Sequence, residues 1–171
     1  ESTVREATRD LEVLYGITAT AVNNPDMDQL LRRSISLTAE AFGCPAAVVH
    51  LLDNQQERLS LEAYLENGNP ALGKLLTSLD AGSPVLHQSL ATGEPAYLSG
   101  SALPADWGDH PNLLLVTVPL RSRGRNLGVL SLMCDQQQRA ADIPSDLLTT
   151  IADQIGVALE NIRLYQLTRQ S

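Results

Sequence analysis

The sequence predicts an α+β fold in which an antiparallel sheet is covered by a layer on each face. Three observations carry that expectation. Residues 113–135, LLLVTVPLRSRGRNLGVLSLMCD, are two apolar runs of strand length around a polar turn. Both ends of the chain space their apolar residues by three and four, the period of a helix. Between Asn67 and Asn112, Gly and Pro recur and break any regular element into short pieces.

The hairpin at 113–135 sets the architecture. Val116, Val118 and Leu120 fall on one face of its first strand, and Leu113, Leu115 and Thr117 on the other. A strand apolar on both faces belongs in the middle of a covered sheet. Val116, Thr117, Val118 and Val129 are β-branched and suit a pleated surface. In the turn, Arg121 to Asn126, Gly124 can take the positive φ that a tight hairpin requires.

In chain order, residues 1–22 read as a helix with Val4, Ala7, Leu11, Leu14, Thr18 and Ala21 along a heptad seam. Such a seam serves a partner helix or the domain's own core, and the spacing leaves both open. Asn23-Asn24-Pro25 ends it. Asp26 then caps a second helix, with Gln29 as capping-box partner and Leu30, Leu31, Ile35, Thr38 and Phe42 as the buried stripe; Gly43 ends it. A strand over 46–53, a turn at 53–56 and a strand over 58–67 follow. The second strand alternates, with Leu59, Leu61, Ala63 and Leu65 inward and Ser60, Glu62, Tyr64 and Glu66 outward.

The Gly/Pro-rich segment holds helical pieces over 71–78 and from Pro84 behind the cap Ser83, then an edge strand at 95–98. A long irregular stretch inside a domain is usually a functional loop or lid. It contains the only Trp, Trp107, with Tyr97, His87 and His110. Gln136 to Asp142 is a polar loop, and Pro144 opens the last helix. There Leu148, Ile151, Ile155, Ala158, Ile162 and Tyr165 form a second heptad seam.

Composition narrows the function. The 171 residues are 43% hydrophobic and 19% charged, a globular balance. A net charge of −8 argues against nucleic acid or anionic membrane as the main partner. No apolar run approaches the roughly 20 residues of a membrane span, and no secretory signal is visible. Cys44 and Cys134 show no metal spacing and no disulfide framework, which suits a reduced, cytosolic setting. Opening without Met and stopping in a helical pattern, the sequence reads as a piece of a longer protein.

Three phrases, SPVLHQSLATGEPAYLSG, PNLLLVTVPLRSRGRNLGVLSLMCD and IPSDLLTTIADQIGVALENIRLYQ, occur in an order and spacing that resembles the GAF domain family. The resemblance runs from about residue 11 to 167. It implies a three-layer fold: a central antiparallel sheet of five or six strands, helices from both chain ends on one face, and a small-molecule pocket roofed by loops and short helices on the other. The stretch LEVLYGITATAVNNPDMDQLLRRSISLTAEAFGC resembles, more narrowly, GAF domains of bacterial sensor histidine kinases, the nitrate/nitrite-sensor type among them. That implies a linker and dimerisation helix over 1–22, a GAF core over 23–143, and a helix over 144–171 leading to an output domain. Transcription activators and cyclic-dinucleotide cyclases carry similar modules.

Against that resemblance the candidate site residues are Tyr97, Trp107 and Asp109, aromatic walls with a polar group suited to a small organic ligand. His50, His87 and His110 stand beside them. His50 shares a strand face with Val48 and Leu52 and reads as a core or pocket-edge imidazole. His87 and His110 lie where some GAF sensors hold haem or metal, but their spacing fits no local metal motif and surface solvation explains both. Covalent bilin is disfavoured because the roof has no cysteine. The Asn-Lys-Phe-Asp-Glu set of cyclic-nucleotide-binding GAF domains is missing, Phe42 being the only Phe and helical. Lys74 is the roof's one basic residue, too few for a phosphate ligand. Arg121, Arg123 and Arg125 read as a solvated turn, with an acidic partner as the rarer meaning.

The expected function is thus a cytoplasmic sensory module of a signalling protein, with no cofactor, no metal and no catalysis of its own. A sensor histidine kinase, itself a candidate for membrane anchoring, is the expected parent. Homodimerisation is expected through Leu11, Leu14, Ile151, Ile155, Ala158, Ile162 and Tyr165. Two alternatives differ in class: a ligand-free dimerisation and relay module, and an enzyme like the GAF-type free methionine sulfoxide reductases. The latter needs a thiolate in the pocket, and neither cysteine is in the roof segment.

Overall fold

The computed structural model describes residues 26–53, 55, 58–134 and 143–170. The expected seam over 1–22, with Leu11 and Leu14, the break at 23–25 and the loop at 136–142 lie outside the described residues.

Strands β1 (Ala46–Leu52), β2 (Leu59–Glu66), β3 (Ala96–Leu98), β4 (Leu114–Ser122) and β5 (Arg125–Cys134) make one antiparallel sheet in the order β2-β1-β5-β4-β3. The hairpin β4–β5 is closed by Arg123 and Gly124, with φ of 54° and 77°. Two successive positive φ values are what a two-residue turn needs to follow the strands' twist. As read from its two apolar faces, β5 lies at the centre of the sheet.

Helices α1 (Met27–Phe42) and α4 (Ser145–Gln170) cover one face. Their Leu30, Leu31, Ile35, Leu148, Ile151, Ile155 and Leu159 meet Val49, Val116, Val118, Leu130 and Leu132 of the strands. Helices α2 (Pro70–Thr77) and α3 (Pro84–Thr92), with 3-10 turns at Gly100–Ala102 and Ala105–Trp107, cover the other. There Leu72, Leu76, Leu86, Leu103 and Trp107 meet Val48, Leu115, Val129 and Met133. Each fully buried aliphatic side chain contributes about 1.5–3 kcal/mol, so both layers are strongly held. No helix among the described residues is long and apolar enough to cross a membrane.

Several local expectations are corrected. The alternation of β2 does not survive: Leu59 is buried on the roof side, Ala63 on the helix side, and Leu61 is 42% exposed. The register against β1 shifts between Val49 and His50, leaving Glu62 without a partner. That bulge switches the strand from one face to the other, as a single inserted residue must. Asp26 does cap α1, but through the Asp28 amide at 2.9 Å. Ser83 precedes α3 without capping it, because its Oγ accepts from the Asp80 amide at 3.0 Å.

The seam assigned to the last helix is also revised. Ile151, Ile155, Ala158 and Ile162 are buried in the domain's own core and cannot line an outer contact, whereas Tyr165 is 48% exposed. Among the described side chains of α4, the large apolar ones left outside are Val157, Leu164 and Tyr165. Gly156 lets the helix lie directly on the sheet: a Cβ there would sit 2.2 Å from the Arg121 carbonyl oxygen. Finally, the two cysteines, 90 positions apart, are neighbours in the helix-side core with sulfurs 2.6 Å apart.

Candidate functional site

Pairing across the sheet places residues in rows facing the roof. One row runs Tyr64, Val48, Ser131, Thr117 and Ala96 through all five strands in spatial order. The next runs Leu61, His50, Val129 and Pro119. Alternation fixes the direction: Thr117 lies between Val116 and Val118, which point to the helices, and Ser131 lies between Leu130 and Leu132, which do the same. The floor beneath the roof therefore carries two adjacent hydroxyls inside an apolar surface.

Neither hydroxyl is paired. Thr117 Oγ1 and Ser131 Oγ are buried without a hydrogen-bond partner among the described residues, as are Ser89 Oγ on α3 and His50 Nδ1 on β1. Helix α3 packs on β4 and β5, so Ser89 belongs to the layer that covers this face of the sheet. An unpaired buried polar group costs about 1–3 kcal/mol, and native structures rarely leave one so. Four such atoms lie on the roof side of the sheet.

Two further bonds order the roof, and the first of them ties it to this floor. His50 Nε2 lies 3.0 Å from the Leu79 carbonyl, which can only accept, so the ring proton sits on Nε2 and Nδ1 presents a lone pair. Burial holds the His50 pKa below its ordinary value, while the Leu79 carbonyl and the Asp80 carboxylate act in the opposite direction. Trp107 Nε1 donates to Ser78 Oγ at 2.9 Å, and that hydroxyl donates to the Leu75 carbonyl. Both anchors grip the C-terminal end of α2.

The candidates read from the sequence thus divide. His50 and Trp107 converge on the end of α2. His110 Nε2 lies 2.7 Å from the Trp107 carbonyl and supports that turn from outside. His87 is exposed on α3 and bonds the Ala81 carbonyl; Asp109 is exposed beside Gly108. Tyr97 faces the opposite layer: it pairs with Val116, packs against the helix-side core, and donates its hydroxyl to the Ile143 carbonyl. Burial raises its pKa. It is therefore no part of a site beneath the roof. Ser89, Thr117 and Ser131 were missed, although a lone hydroxyl residue inside LLVTVPL and VLSLM was the signal available.

Among the described residues no group of three or more His, Cys, Asp or Glu could hold a metal. A separate cleft of about 480 Å³ opens where the β4–β5 turn meets α4, lined by Arg123, Arg125, Glu160, Arg163 and Leu164 among others. Arg123 pairs there with Glu160 at 3.6 Å. Arg121, expected in the solvated turn, is half-buried instead: its guanidinium lies over Gly93 at the end of α3 and donates to the Gly124 carbonyl at 3.0 Å.

With this geometry in hand, comparison with known proteins is informative. The family model described as "GAF domain" matches residues 26–161. No curated protein sequence gives a significant match. Among solved structures, the GAF domain of a phosphoenolpyruvate-protein phosphotransferase from Coxiella burnetii is similar at TM-score 0.71 and 18% identity, over 94% of this chain and 98% of that one. The GAF domain of a putative sensor histidine kinase from Pseudomonas syringae pv. tomato gives 0.69 and 17%, over 99% and 97%. A free methionine-R-sulfoxide reductase from Neisseria meningitidis, in complex with its substrate, gives 0.66 and 22%, over 91% of each chain. At these identities the likeness is one of fold.

Proposed function

The chain belongs to the GAF domain family, and from that premise we propose that it is a ligand-reading sensory module whose site lies between the roof and the Thr117–Ser131 floor. A general sensory or regulatory role is supported by the company it keeps, which includes the GAF domain of a putative sensor histidine kinase and residues 122 to 287 of a methyl-accepting chemotaxis protein. The finer reading rests on one observation: the four unpaired polar atoms of Ser89, Thr117, Ser131 and His50 gathered on the roof side of the sheet.

Three hydroxyls and a neutral imidazole form a ligand set without net charge. They suit a small neutral molecule with several donors and acceptors better than a phosphate or a carboxylate. Occupancy would act on the anchors His50–Leu79 and Trp107–Ser78, hence on α2. Across the sheet it would bias α4, which leads on to an output segment; the coupling is the difference in ligand affinity between two arrangements of that helix. A homodimer would place Val157, Leu164 and Tyr165 of α4 against a second copy. The parent is read as a sensor histidine kinase, and the segment itself as cytoplasmic, non-catalytic and free of cofactor.

A second reading has its own support. Leu76 and Leu86 are wholly buried and Trp107 is 6% exposed, so the roof's own side chains fill much of this face. A relay module without a ligand would look like this. Thermal-shift screening of neutral polar metabolites against the wild type and a Thr117→Val/Ser131→Ala variant separates the two. The ligand reading expects a compound that stabilises the wild type and loses its effect in the variant. A screen in which every shift is the same in both proteins favours the relay.

A further inference from the structure

The two cysteines form a second chemical site, on the face of the sheet away from the roof. Cys44 follows the C-terminal cap of α1, and its amide donates to the Ala39 carbonyl at 2.8 Å. Cys134 is the last residue of β5, opposite Leu114 of β4. Their sulfurs are 2.6 Å apart in the helix-side core, and no bond joins them. A disulfide bond measures about 2.05 Å, so little movement separates this dithiol from the bonded form. A shared metal is a poorer fit, since ligation at about 2.3 Å from each sulfur would hold the two sulfurs further apart.

We propose that Cys44 and Cys134 are a reversible redox couple that hydrogen peroxide oxidises to an intramolecular disulfide. Cys44 is 5% exposed and Cys134 0%, so Cys44 meets the oxidant first. The Cys44 thiol gives up its proton and the thiolate attacks one peroxide oxygen; the O–O bond breaks, the leaving hydroxide takes that proton and departs as water, and a Cys44 sulfenic acid remains. Cys134 sulfur then attacks the Cys44 sulfur; the S–S bond forms, the S–O bond breaks, and the hydroxyl leaves as a second water with the Cys134 proton. In sum, two thiols are oxidised by two electrons and one peroxide is reduced to two waters. An external dithiol reverses the reaction by exchange.

The bond would fasten the α1–β1 corner to the end of β5, from which the chain continues towards α4. It needs no ligand beneath the roof, so it stands or falls apart from the sensory reading. Closing a covalent loop between residues 90 positions apart restricts the unfolded chain, and the oxidised protein should melt at a higher temperature.

The test is peroxide treatment of the native protein, alkylation of remaining thiols, and peptide mapping without reductant. The expected result is loss of both alkylatable thiols and a Cys44–Cys134 linked peptide within one chain. Dithiothreitol should restore both thiols and lower the melting temperature again. In Cys134→Ala, Cys44 should stop at a sulfenic acid that dimedone traps. Two thiols still alkylated after treatment, a sulfinic acid without a cross-link, or a link only between two copies would overturn the proposal; the wild-type map decides even if the variant folds poorly.

Discussion

The imidazole of His50 and the backbone carbonyl of Leu79 share a 3.0 Å hydrogen bond that joins β1 to the segment just beyond α2. It ties the roof to the strands beneath, as does the bond from Asn126 Nδ2 on β5 to the Leu90 carbonyl on α3 at 3.2 Å, and it is one that protonation can alter.

Because burial keeps the folded His50 pKa below the reference 6.5, the unfolded chain takes up the proton first as pH falls. The neutral ring's contribution is complete above pH 6.5 and is lost as pH drops through 6.5 towards the lower folded value. Urea midpoints at about pH 7.5 and about pH 5.5 should therefore fall more in the wild type than in His50→Gln. Equal losses in the two proteins would remove His50 as the cause.

Trp107 and Ser78 make a link within the roof itself. Ser78→Ala should destabilise by about 1 kcal/mol, the usual net worth of a hydrogen bond. Trp107→Ala should lose about 3–5 kcal/mol, the range for emptying an aromatic site in a core. Denaturant unfolding of the two single variants and the double variant measures the coupling, and strictly additive losses would mean that the indole contributes only its bulk.

At Gly156 two effects oppose each other. Alanine is favoured over glycine inside a helix by about 1 kcal/mol, yet its methyl would lie 2.2 Å from the Arg121 carbonyl oxygen. Backbone on one side and helix on the other leave little room to relax, and overpacking of this kind costs about 1–3 kcal/mol. Gly156→Ala is therefore expected to lower the urea midpoint. A higher one would show that α4 can lift from β4 freely.

On α4 the two faces should respond in opposite ways. Ile155→Asp places a carboxylate in the core and should abolish cooperative unfolding. Leu164→Asp and Val157→Asp change exposed positions and should leave the fold intact while dissociating any dimer. Light scattering on both variants decides, and an unchanged mass beside a dimeric wild type would send the contact to another surface.

What could be read in advance followed the length of the pattern. The β4–β5 hairpin and the helix behind Pro144 declare themselves because each repeats a period several times over. Short or interrupted patterns misled: β2 reads as a plain alternation, since a bulge adds a residue without changing its type. Tyr97 was grouped with Trp107 because they share a segment, yet a three-residue strand turned its ring to the opposite layer. Thr117 and Ser131 sit 14 positions apart in the sequence, and only the β4–β5 register brings them side by side. The same holds for Cys44 and Cys134, whose meeting depends on the whole sheet being assembled.

The strand order β2-β1-β5-β4-β3 bears on how this molecule comes into being. Strand β1 is made early and its inner neighbour β5 last, so during synthesis the first hairpin waits with one edge open. Pairings that span so much of the chain form slowly, and unpaired edges invite aggregation meanwhile. Any fragment ending before Gly128 would keep that edge exposed, which makes the emergence of β5 from the ribosome the moment at which the sheet can close.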